Sequence, residues 1–345
     1  MKSFTILLLR IVTVYGSGQI ISHRDQIVSD VYNQTKVHVM QDGRHQPPYY
    51  AYDQQCPDAA DISPCVCRYD SEVNSMDFEC STVESEDQLK QIFKADFPSK
   101  HFNRFVLRFN DNIKVLEAGV FNGISFEKIN ITQSKLEVVE LHALDSCYET
   151  ATEIVLWANK ITSFPFDELS HFSKLRYFDI SGNSLSVIPA DAFEGLTALE
   201  IIAIIGNNAS IVGKFQDLPN LQVIYLDIND IITIPSKFIQ TGSSDLRDIY
   251  LNYNKIVSVE PGAFDIVEGL HIEIGINSLS TLDEATWRPY LEVGGELLAA
   301  GNPLVCGCDI AWLFGEDQLL EQVHEATCTD GENLHDLDPE MFDHC

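Results

Sequence analysis

The sequence predicts an α/β fold: a solenoid of stacked repeats that curves into a horseshoe, with a parallel sheet on its concave side and a disulfide-bonded cap at each end. Three observations predict it. A unit from Leu175 to Leu196 recurs along the chain, each copy carries a polar residue at one fixed place, and four cysteines stand on either side of the copies. A unit this short cannot bury its own apolar face, so it must stack on its neighbours.

The unit itself reads L-x-x-L-x-L-x-x-N-x-L, followed by an apolar-proline step and Phe193, which is the leucine-rich-repeat signature. The run from Leu175 to Ile180 predicts a strand, because Phe178 and Ile180 alternate with Tyr177 and Asp179. We expect Phe178 and Ile180 to point into the core and the other two side chains to point outward.

The charge balance excludes one class of partner. The 345 residues carry 22 Lys and Arg against 52 Asp and Glu, a formal net charge of −30. Such a surface repels phosphate backbones, so nucleic acid is not an expected partner. A chain of this length with 45% apolar residues can bury a large core.

The N-terminal segment has the features of a secretory signal over residues 1–18. Lys2 precedes an apolar run from Phe4 to Val14, and small residues up to Gly18 suit cleavage. Arg10 interrupts the run, so a disordered apolar tail is the alternative. The run is too short to span a bilayer and no second long apolar stretch follows. The sequence therefore predicts a secreted, extracellular protein without a membrane span.

Two further segments precede the repeats. Residues 19–55 are polar, hold no lasting periodicity, and are interpreted as a flexible tail or propeptide. Residues 56–100 form the predicted N-terminal cap, with Cys56, Cys65, Cys67 and Cys80. Close cysteine pairs can also bind zinc, but zinc sites usually show two matched pairs of short spacing, and Cys56 and Cys80 stand alone. An amphipathic helix is predicted over Ser85 to Lys94.

About eight repeats fill residues 101–293. They can be phased on the position of Asn183, and the repeat starts then lie 22 to 25 residues apart, inside the range for this repeat class. The phased position carries Asn110, Ser134, Asn159, Asn183, Asn207, Asn229, Asn254 and Asn277. An amide can donate to and accept from backbone groups at the turn leaving a strand, so we expect a hydrogen-bonded ladder with Ser134 as its weakest rung.

The same phasing predicts which side chains lie on the concave face. Its charge changes from basic at Arg104, Arg108 and Lys128 to apolar and aromatic, and then to acidic. The predicted protein-binding residues are Val155, Trp157, Tyr177, Asp179, Ile201, Ile205, Val223, Tyr225, Asp227, Asp248, Tyr250 and Tyr253. Trp157, Ile201, Ile205, Val223 and Tyr225 are expected to be exposed, as an apolar patch that binds a protein partner. Strand propensity alone could also place such residues on a sheet.

Residues 294–345 form the predicted C-terminal cap. The run Asn302-Pro-Leu-Val-Cys306-Gly-Cys308-Asp-Ile-Ala-Trp312-Leu313 resembles the C-terminal flanking cap of extracellular leucine-rich-repeat proteins, except that Gly307 stands where Asp is usual. With Asp61-Ile-Ser-Pro-Cys65-Val-Cys67, Leu116-Glu-Ala-Gly-Val-Phe121-Asn-Gly and Asp336-Leu-Asp-Pro339, the chain from about Cys56 to Cys345 resembles an arthropod family, the secreted non-catalytic subunits of Oplophorus-type luciferase and their relatives.

The resemblance carries several implications. It implies the disulfide pairs Cys56–Cys67, Cys65–Cys80, Cys306–Cys328 and Cys308–Cys345. In that luciferase a separate small subunit performs catalysis and the repeat subunit accompanies it. By resemblance, this chain would be an accessory or stabilising subunit whose partner is a small catalytic subunit. An extracellular adhesion or innate-immune recognition protein is the alternative.

Some residues fall outside this scheme. Sequons at Asn33, Asn130 and Asn208 are predicted glycosylation sites, and a glycan on Asn130 would stand on the concave face. Cys147 is the ninth, unpaired cysteine, and its repeat position predicts a buried thiol rather than an intermolecular disulfide.

Signs of enzymatic chemistry are few. The sequence contains no nucleophile elbow, zinc-binding histidine pair, phosphate loop or dinucleotide fingerprint. His171 and His271 have no partner at a meaningful spacing and are interpreted as surface histidines. We therefore expect a non-catalytic binding protein with no cofactor and no metal.

Overall fold

The computed structural model describes residues 55–315 and 319–345. The predicted signal segment, all but the last residue of the predicted tail, and the Asn33 sequon therefore lie outside the described residues. Among the helices of the described ranges, none combines the length and the hydropathy that crossing a bilayer requires.

Short strands are the most numerous regular elements of the described chain. In chain order they are β1 Val66–Asp70, β2 Ser75–Glu79, β3 His101–Arg108, β4 Val115–Leu116, β5 Ser125–Thr132, β6 Val138–Val139, β7 Glu153–Val155, β8 Tyr177–Asp179, β9 Ile201–Ala203, β10 Phe215–Gln216, β11 Val223–Tyr225, β12 Thr233–Ile234, β13 Ile239–Gln240, β14 Asp248–Tyr250, β15 Ser258–Val259, β16 His271–Glu273, β17 Glu296–Leu298 and β18 Val323–His324. The α-helices are α1 Glu86–Ile92 and α2 Glu284–Leu291. Short 3₁₀ helices span Asp145–Cys147, Phe166–His171, Cys308–Phe314, Leu319–Gln322, Leu334–Asp336 and Pro339–Phe342.

One 12-stranded sheet unites the repeats, in the order β1-β2-β3-β5-β7-β8-β9-β11-β14-β16-β17-β18. Only the β1–β2 pair is antiparallel, and every other neighbour is parallel. Three two-stranded parallel pairs, β4–β6, β10–β13 and β12–β15, lie in the segments that connect the long-sheet strands. This order confirms the predicted solenoid, in which each repeat adds one strand beside the previous one.

The core lies on one side of this sheet. The central residue of each three-residue strand from β7 to β16 is fully buried: Ile154, Phe178, Ile202, Ile224, Ile249 and Ile272. Phe178 and Ile180 therefore point inward as predicted, but the predicted strand from Leu175 to Ile180 is too long. The N–H of Leu175 still donates to the carbonyl of Phe172 in the preceding turn, so the strand begins at Tyr177.

The asparagine ladder connects the repeats. Asn183 donates to the carbonyls of Leu156 (3.0 Å) and Ile180 (2.9 Å), and its Oδ1 accepts from the N–H of Ile161 at 2.9 Å. Each amide thus satisfies backbone groups of its own repeat and of the previous one. Equivalent bonds are made by Asn159, Asn207, Asn229, Asn254 and Asn277, and also by Asn302 of the C-terminal cap motif.

Ser134 makes a different rung. Its hydroxyl donates to the carbonyl of Thr132 at 2.9 Å and accepts from the N–H of Asn110 at 3.0 Å. The donated bond stays within its own repeat, whereas an asparagine amide at this place also donates to the preceding repeat. The shorter side chain accounts for this difference.

The residue before each rung adopts a left-handed backbone conformation, with φ between +49° and +68°. Glycine occupies this position before Asn183, Asn207 and Asn302, but Ile228 and Ile276 occupy it before Asn229 and Asn277. This conformation is unfavourable for β-branched side chains. Tertiary hydrogen bonds hold it, because the N–H of Ile228 donates to Asn252 and that of Ile276 to Ala300, each in the following repeat.

Both ends of the array carry disulfides. Cys56 pairs with Cys67, Cys65 with Cys80, Cys306 with Cys328, and Cys308 with Cys345, which are the pairs that the family resemblance implies. The helix α1 begins after Ser85, whose hydroxyl accepts from the N–H of Gln88. At the other end, Trp312 donates its indole N–H to the carbonyl of Leu282 at 3.0 Å. The exact cap boundaries stay predictions.

Candidate binding face

The side of the long sheet opposite the core is the candidate site, and we call it the sheet face. Parallel pairing places equivalent residues of successive repeats side by side. One row contains Lys128, Glu153, Tyr177, Ile201, Val223, Asp248, His271 and Glu296, and a second contains Asn130, Val155, Asp179, Ala203, Tyr225, Tyr250, Glu273 and Leu298. The predicted binding residues in strands thus share one face, as the phasing expected.

Basic side chains occur on the sheet face near its N-terminal end, and they are paired. Arg104 Nε lies 3.2 Å from Asp77 Oδ2 on the neighbouring strand, and Lys128 Nζ lies 2.6 Å from Glu153 Oε1. Each carboxylate belongs to the adjacent repeat or cap strand. The basic character of this end is therefore largely neutralised within the protein.

The expected exposure of the apolar patch is wrong for four of its five residues. Trp157, Ile205, Val223 and Tyr225 are buried, with Tyr225 and Trp157 at 7% exposure and Ile205 at 0%. Only Ile201 is partly exposed. Strand alternation shows on which side of a sheet a side chain lies, but not how far its neighbours cover it. Strands about 4.8 Å apart bring large side chains in register into contact, as in the Tyr225–Tyr250 pair.

The twelve predicted binding residues therefore divide by exposure. Tyr177, Ile201, Asp248, Tyr250 and Tyr253 are partly exposed, whereas Val155, Trp157, Asp179, Ile205, Val223, Tyr225 and Asp227 are buried. Asp179, predicted to point outward, is fully buried. Its carboxylate accepts from the Tyr177 hydroxyl at 3.2 Å and from the Ser181 N–H at 2.9 Å, so the side chain lies along the face rather than in solvent.

The buried apolar residues of the sheet face do not belong to the hydrophobic core. The core cluster includes Ile154, Ile202 and Ile224 but none of Val106, Val155, Trp157, Ala203, Ile205, Val223, Tyr225 and Ile228. These residues form a second apolar layer, on the opposite side of the sheet.

Beside this layer lies a group of acidic and tyrosine side chains, which we call the acidic–tyrosine cluster: Tyr225, Asp227, Asp248, Tyr250 and Glu273. The rings of Tyr225 and Tyr250 stack with centroids 4.8 Å apart and 12° between their planes. Asn252 connects the two buried carboxylates, because its backbone N–H donates to Asp227 Oδ1 at 2.9 Å and its side-chain amide donates to Glu273 Oε2 at 2.8 Å.

Burial shifts the ionisation of this cluster. Desolvation, with the charge of Glu273 as a second cause, raises the pKa of Asp227 to about 8, although hydrogen bonds from Asn252 oppose the shift. Desolvation also raises the pKa of Glu273. Desolvation likewise raises the pKa of the Tyr225 and Tyr250 hydroxyls, and the charge of Asp248 adds to it. Burial thus disfavours the ionised form of both carboxyl groups.

His271 joins this cluster, and its interpretation as a surface histidine is wrong. Its ring is half-buried, with Nδ1 3.5 Å from Asp248 Oδ1 and Nε2 4.0 Å from Glu273 Oε1. Desolvation lowers the pKa of His271, but the hydrogen bond with Asp248 and the charge of Glu273 outweigh it and raise the pKa. His271 and Asn252 occupy the third and seventh positions of their repeats, so the same phasing could have included both. His171 is exposed, as expected.

The sequons within the described residues differ in accessibility. Asn208 is exposed in the segment after β9, whereas Asn130 is half-buried on β5 between Val106 and Val155. The Asn130 Oδ1 atom is buried and makes no hydrogen bond. Glycan occupancy at both sites stays a prediction.

Cys147 is fully buried and unpaired, which confirms the predicted core thiol. Burial raises its pKa to about 11.

Within the described ranges, the one group of His, Cys and carboxylate atoms close enough to share a metal ion is Cys308, His344 and Cys345. Its two sulfurs are already joined in a disulfide, so we assign no metal to this group.

Comparison with known proteins places these features in a family. The leucine rich repeat family model matches residues 149–209 and 173–231. The chain is 32% identical over 314 residues to the Oplophorus-luciferin 2-monooxygenase non-catalytic subunit of Oplophorus gracilirostris, which covers 83% of this chain and 87% of that protein. It is 31% identical over 184 residues to human Podocan-like protein 1, covering 51% of this chain and 34% of that protein.

Solved structures show the same fold. The chain superimposes on the TLR13 chain of the TLR13–ssRNA13 complex with a TM-score of 0.56 and 24% identity, over 66% of this chain and 32% of that one. It also matches the octameric complex of Latrophilin 3, Unc5D and FLRT2 with a TM-score of 0.53 and 20% identity, over 70% of this chain and 83% of that one. At these identities the likeness extends to the fold alone.

Proposed function

The chain belongs to the leucine-rich-repeat family of the Oplophorus-luciferin 2-monooxygenase non-catalytic subunit, and on this premise we propose that it is a secreted, non-catalytic scaffold that binds a protein partner on its sheet face. The favoured role is an accessory or stabilising subunit. The family relative is named as a non-catalytic subunit, which supports this role, and the disulfides at both ends of the array suit an extracellular protein.

The second apolar layer is the observation that carries the proposal. Buried apolar side chains outside the core adjoin the partly exposed Tyr177, Ile201 and Tyr250. A binding face needs such a dry, packed centre with accessible aromatic and aliphatic groups at its surface. Because the side chains at the centre of the face are already packed in the unbound chain, binding a partner would cost less side-chain conformational entropy.

The proposal can be tested by capture from tissue extract with the full chain as bait. One stoichiometric small partner is the expected result. Tyr177→Ala combined with Ile201→Ala should weaken the capture at least about tenfold, because aromatic and aliphatic anchors carry most interface energy. The matched control is Ile211→Ala with Ile232→Ala, since both of these side chains are exposed but lie in the segments after β9 and β11.

Two outcomes contradict the proposed role. Retention on cells or microbes without a stoichiometric protein partner would favour the alternative, an adhesion or recognition protein. Turnover of coelenterazine by the purified chain alone would contradict every non-catalytic interpretation. Equal loss of capture in both double variants would place the interface outside the sheet face.

A further inference from the structure

The C-terminal half of the sheet face differs sharply in charge from the N-terminal half. The strands β8, β9, β11, β14, β16, β17 and β18 contain no lysine and no arginine, but their face and its margin carry Asp179, Asp227, Asp248, Glu273 and Glu296. In the N-terminal half, by contrast, Arg104 and Lys128 form ion pairs with carboxylates of adjacent strands. In the C-terminal half, the strands of the sheet supply no lysine or arginine to pair with these carboxylates.

Two cationic side chains lie next to the cluster, Arg247 and His271. Arg247 Nε lies 3.3 Å from Asp248 Oδ2, but the arginine side chain is 61% exposed, and such surface pairs are weak. His271 lies between Asp248 and Glu273 and is shared by both. Desolvation, and then repulsion from the charge of Glu273, disfavour the ionisation of the buried Asp227. A cation from outside would relieve this repulsion.

The cluster also offers an aromatic surface to a cation. Tyr250 is partly exposed and is stacked on Tyr225, while the His271 ring meets it edge-on with centroids 6.3 Å apart. Asp248 lies on the same strand as Tyr250, and the exposed Glu296 lies beside His271 in the same row, on the next strand. Cationic groups bind favourably over tyrosine rings and next to carboxylates. Arginine suits such a place better than lysine, because its planar guanidinium can stack and pair at once.

We propose, building on the proposed function, that the protein partner presents a basic segment whose lysine or arginine side chains lie across β11, β14, β16 and β17. One cationic side chain sits against Tyr250 and pairs with Asp248, and another pairs with Glu296. The charge complementarity favours this occupant, because a chain with a net charge of −30 would repel an acidic segment from this face.

A direct test uses a labelled oligo-arginine peptide as the probe and the full chain as the target, followed by fluorescence anisotropy. The double variant Asp248→Asn with Glu296→Gln should weaken peptide binding about tenfold or more, since it removes two charge-assisted contacts. The matched control, Asp191→Asn with Glu194→Gln, removes two exposed carboxylates from the segment between β8 and β9 and should change binding by less than about twofold. A length-matched oligo-glutamate peptide should not bind.

Equal weakening by both double variants would overturn the inference, because only the net charge would then matter. Absence of any effect in either variant would also overturn it. Circular dichroism of the variants checks that both remain folded, and Tyr250→Phe, which keeps the ring, should retain peptide binding.

The captured protein partner separates this inference from the proposed function. If the partner binds but its affinity is unchanged by Asp248→Asn with Glu296→Gln and is insensitive to salt, the inference is wrong and the scaffold function stands. If the peptide binds at the cluster but no protein is captured, the proposed binding site for cationic side chains is supported and the scaffold function is wrong. If both the peptide and the partner lose affinity in the sheet-face variant only, both proposals are supported.

Discussion

Asn252 donates its backbone N–H to Oδ1 of Asp227 at 2.9 Å, across one repeat of the sheet face. The same asparagine donates its side-chain amide to Glu273 in the following repeat. Both carboxyl groups are buried, and these bonds provide them with hydrogen-bond donors. They do not remove the cost of ionising two such groups close together.

The buried Asp227 predicts that stability decreases as the pH rises. Its carboxyl keeps its proton up to about pH 8 in the folded chain but releases it near the ordinary value of 3.8 when unfolded. The folded state therefore binds more protons between these values, so the free energy of unfolding falls across the window. Each pKa unit is worth about 1.4 kcal/mol, so even half of this shift would remove about 3 kcal/mol. The raised pKa values of Glu273 and His271 act in the same direction.

Urea denaturation at about pH 5 and about pH 8.5 measures this effect. Asp227→Asn should reduce the dependence of the free energy of unfolding on pH. The variant should also be more stable than the unaltered chain at the higher pH, because its amide oxygen can still accept from Asn252. Stability that rises with pH, or an unchanged slope in Asp227→Asn, would contradict the assignment.

Removing one rung of the ladder should destabilise the solenoid. Asn277→Ala deletes an amide that donates to Leu251 and Ile274 and accepts from Ile256. Buried backbone groups would lose their partners, so we expect a loss of about 2–4 kcal/mol in the free energy of unfolding. Ser278→Ala, the exposed next residue, is the matched control and should change it by less than about 0.5 kcal/mol. A similar effect of both substitutions would argue against the ladder as a main source of stability.

Gly213 lies where two segments of backbone approach each other closely. A Cβ at this position would overlap the carbonyl oxygen of Pro189, and it would lie 2.8 Å from the carbonyl carbon. Gly213→Ala should therefore cost at least about 2 kcal/mol, measured by thermal or urea denaturation. Gly262→Ala, with φ of +70° and no atom within 4 Å of its Cβ, should show only the left-handed cost of about 1–2 kcal/mol. If Gly213→Ala is as mild as Gly262→Ala, the two segments are not in such close contact.

Cys147 should be inert in the folded chain. Its thiol is fully buried and its pKa is raised to about 11, so the reactive thiolate is scarce and inaccessible. Ellman's reagent at about pH 8 should react with Cys147 only after denaturation, with the disulfides left intact. A disulfide-linked dimer on a non-reducing gel, absent from Cys147→Ala, would show instead that the thiol reaches the surface.

The repeat architecture follows from local patterns in the sequence. The spacing of the asparagines and of the inward residues, such as Phe178 and Ile180, identifies the strands and their stacking order, because each repeat carries the same short sequence pattern. Boundaries were less accurate, as the shorter strand at Tyr177–Asp179 shows. The left-handed backbone at Ile228 and Ile276 could not be predicted, because hydrogen bonds to the next repeat hold it against the preference of the residue.

The sequence by itself therefore determined the fold and the side of the sheet on which each side chain lies. Only the tertiary structure decided how far those side chains are covered: it buries Trp157 and Tyr225, and it brings Asp227, Asn252 and Glu273 into one hydrogen-bonded group. The physical reason is distance along the chain. Side-chain direction depends on neighbouring residues in a strand, whereas burial, pairing and ionisation depend on residues a full repeat away, whose sizes and charges no local pattern specifies.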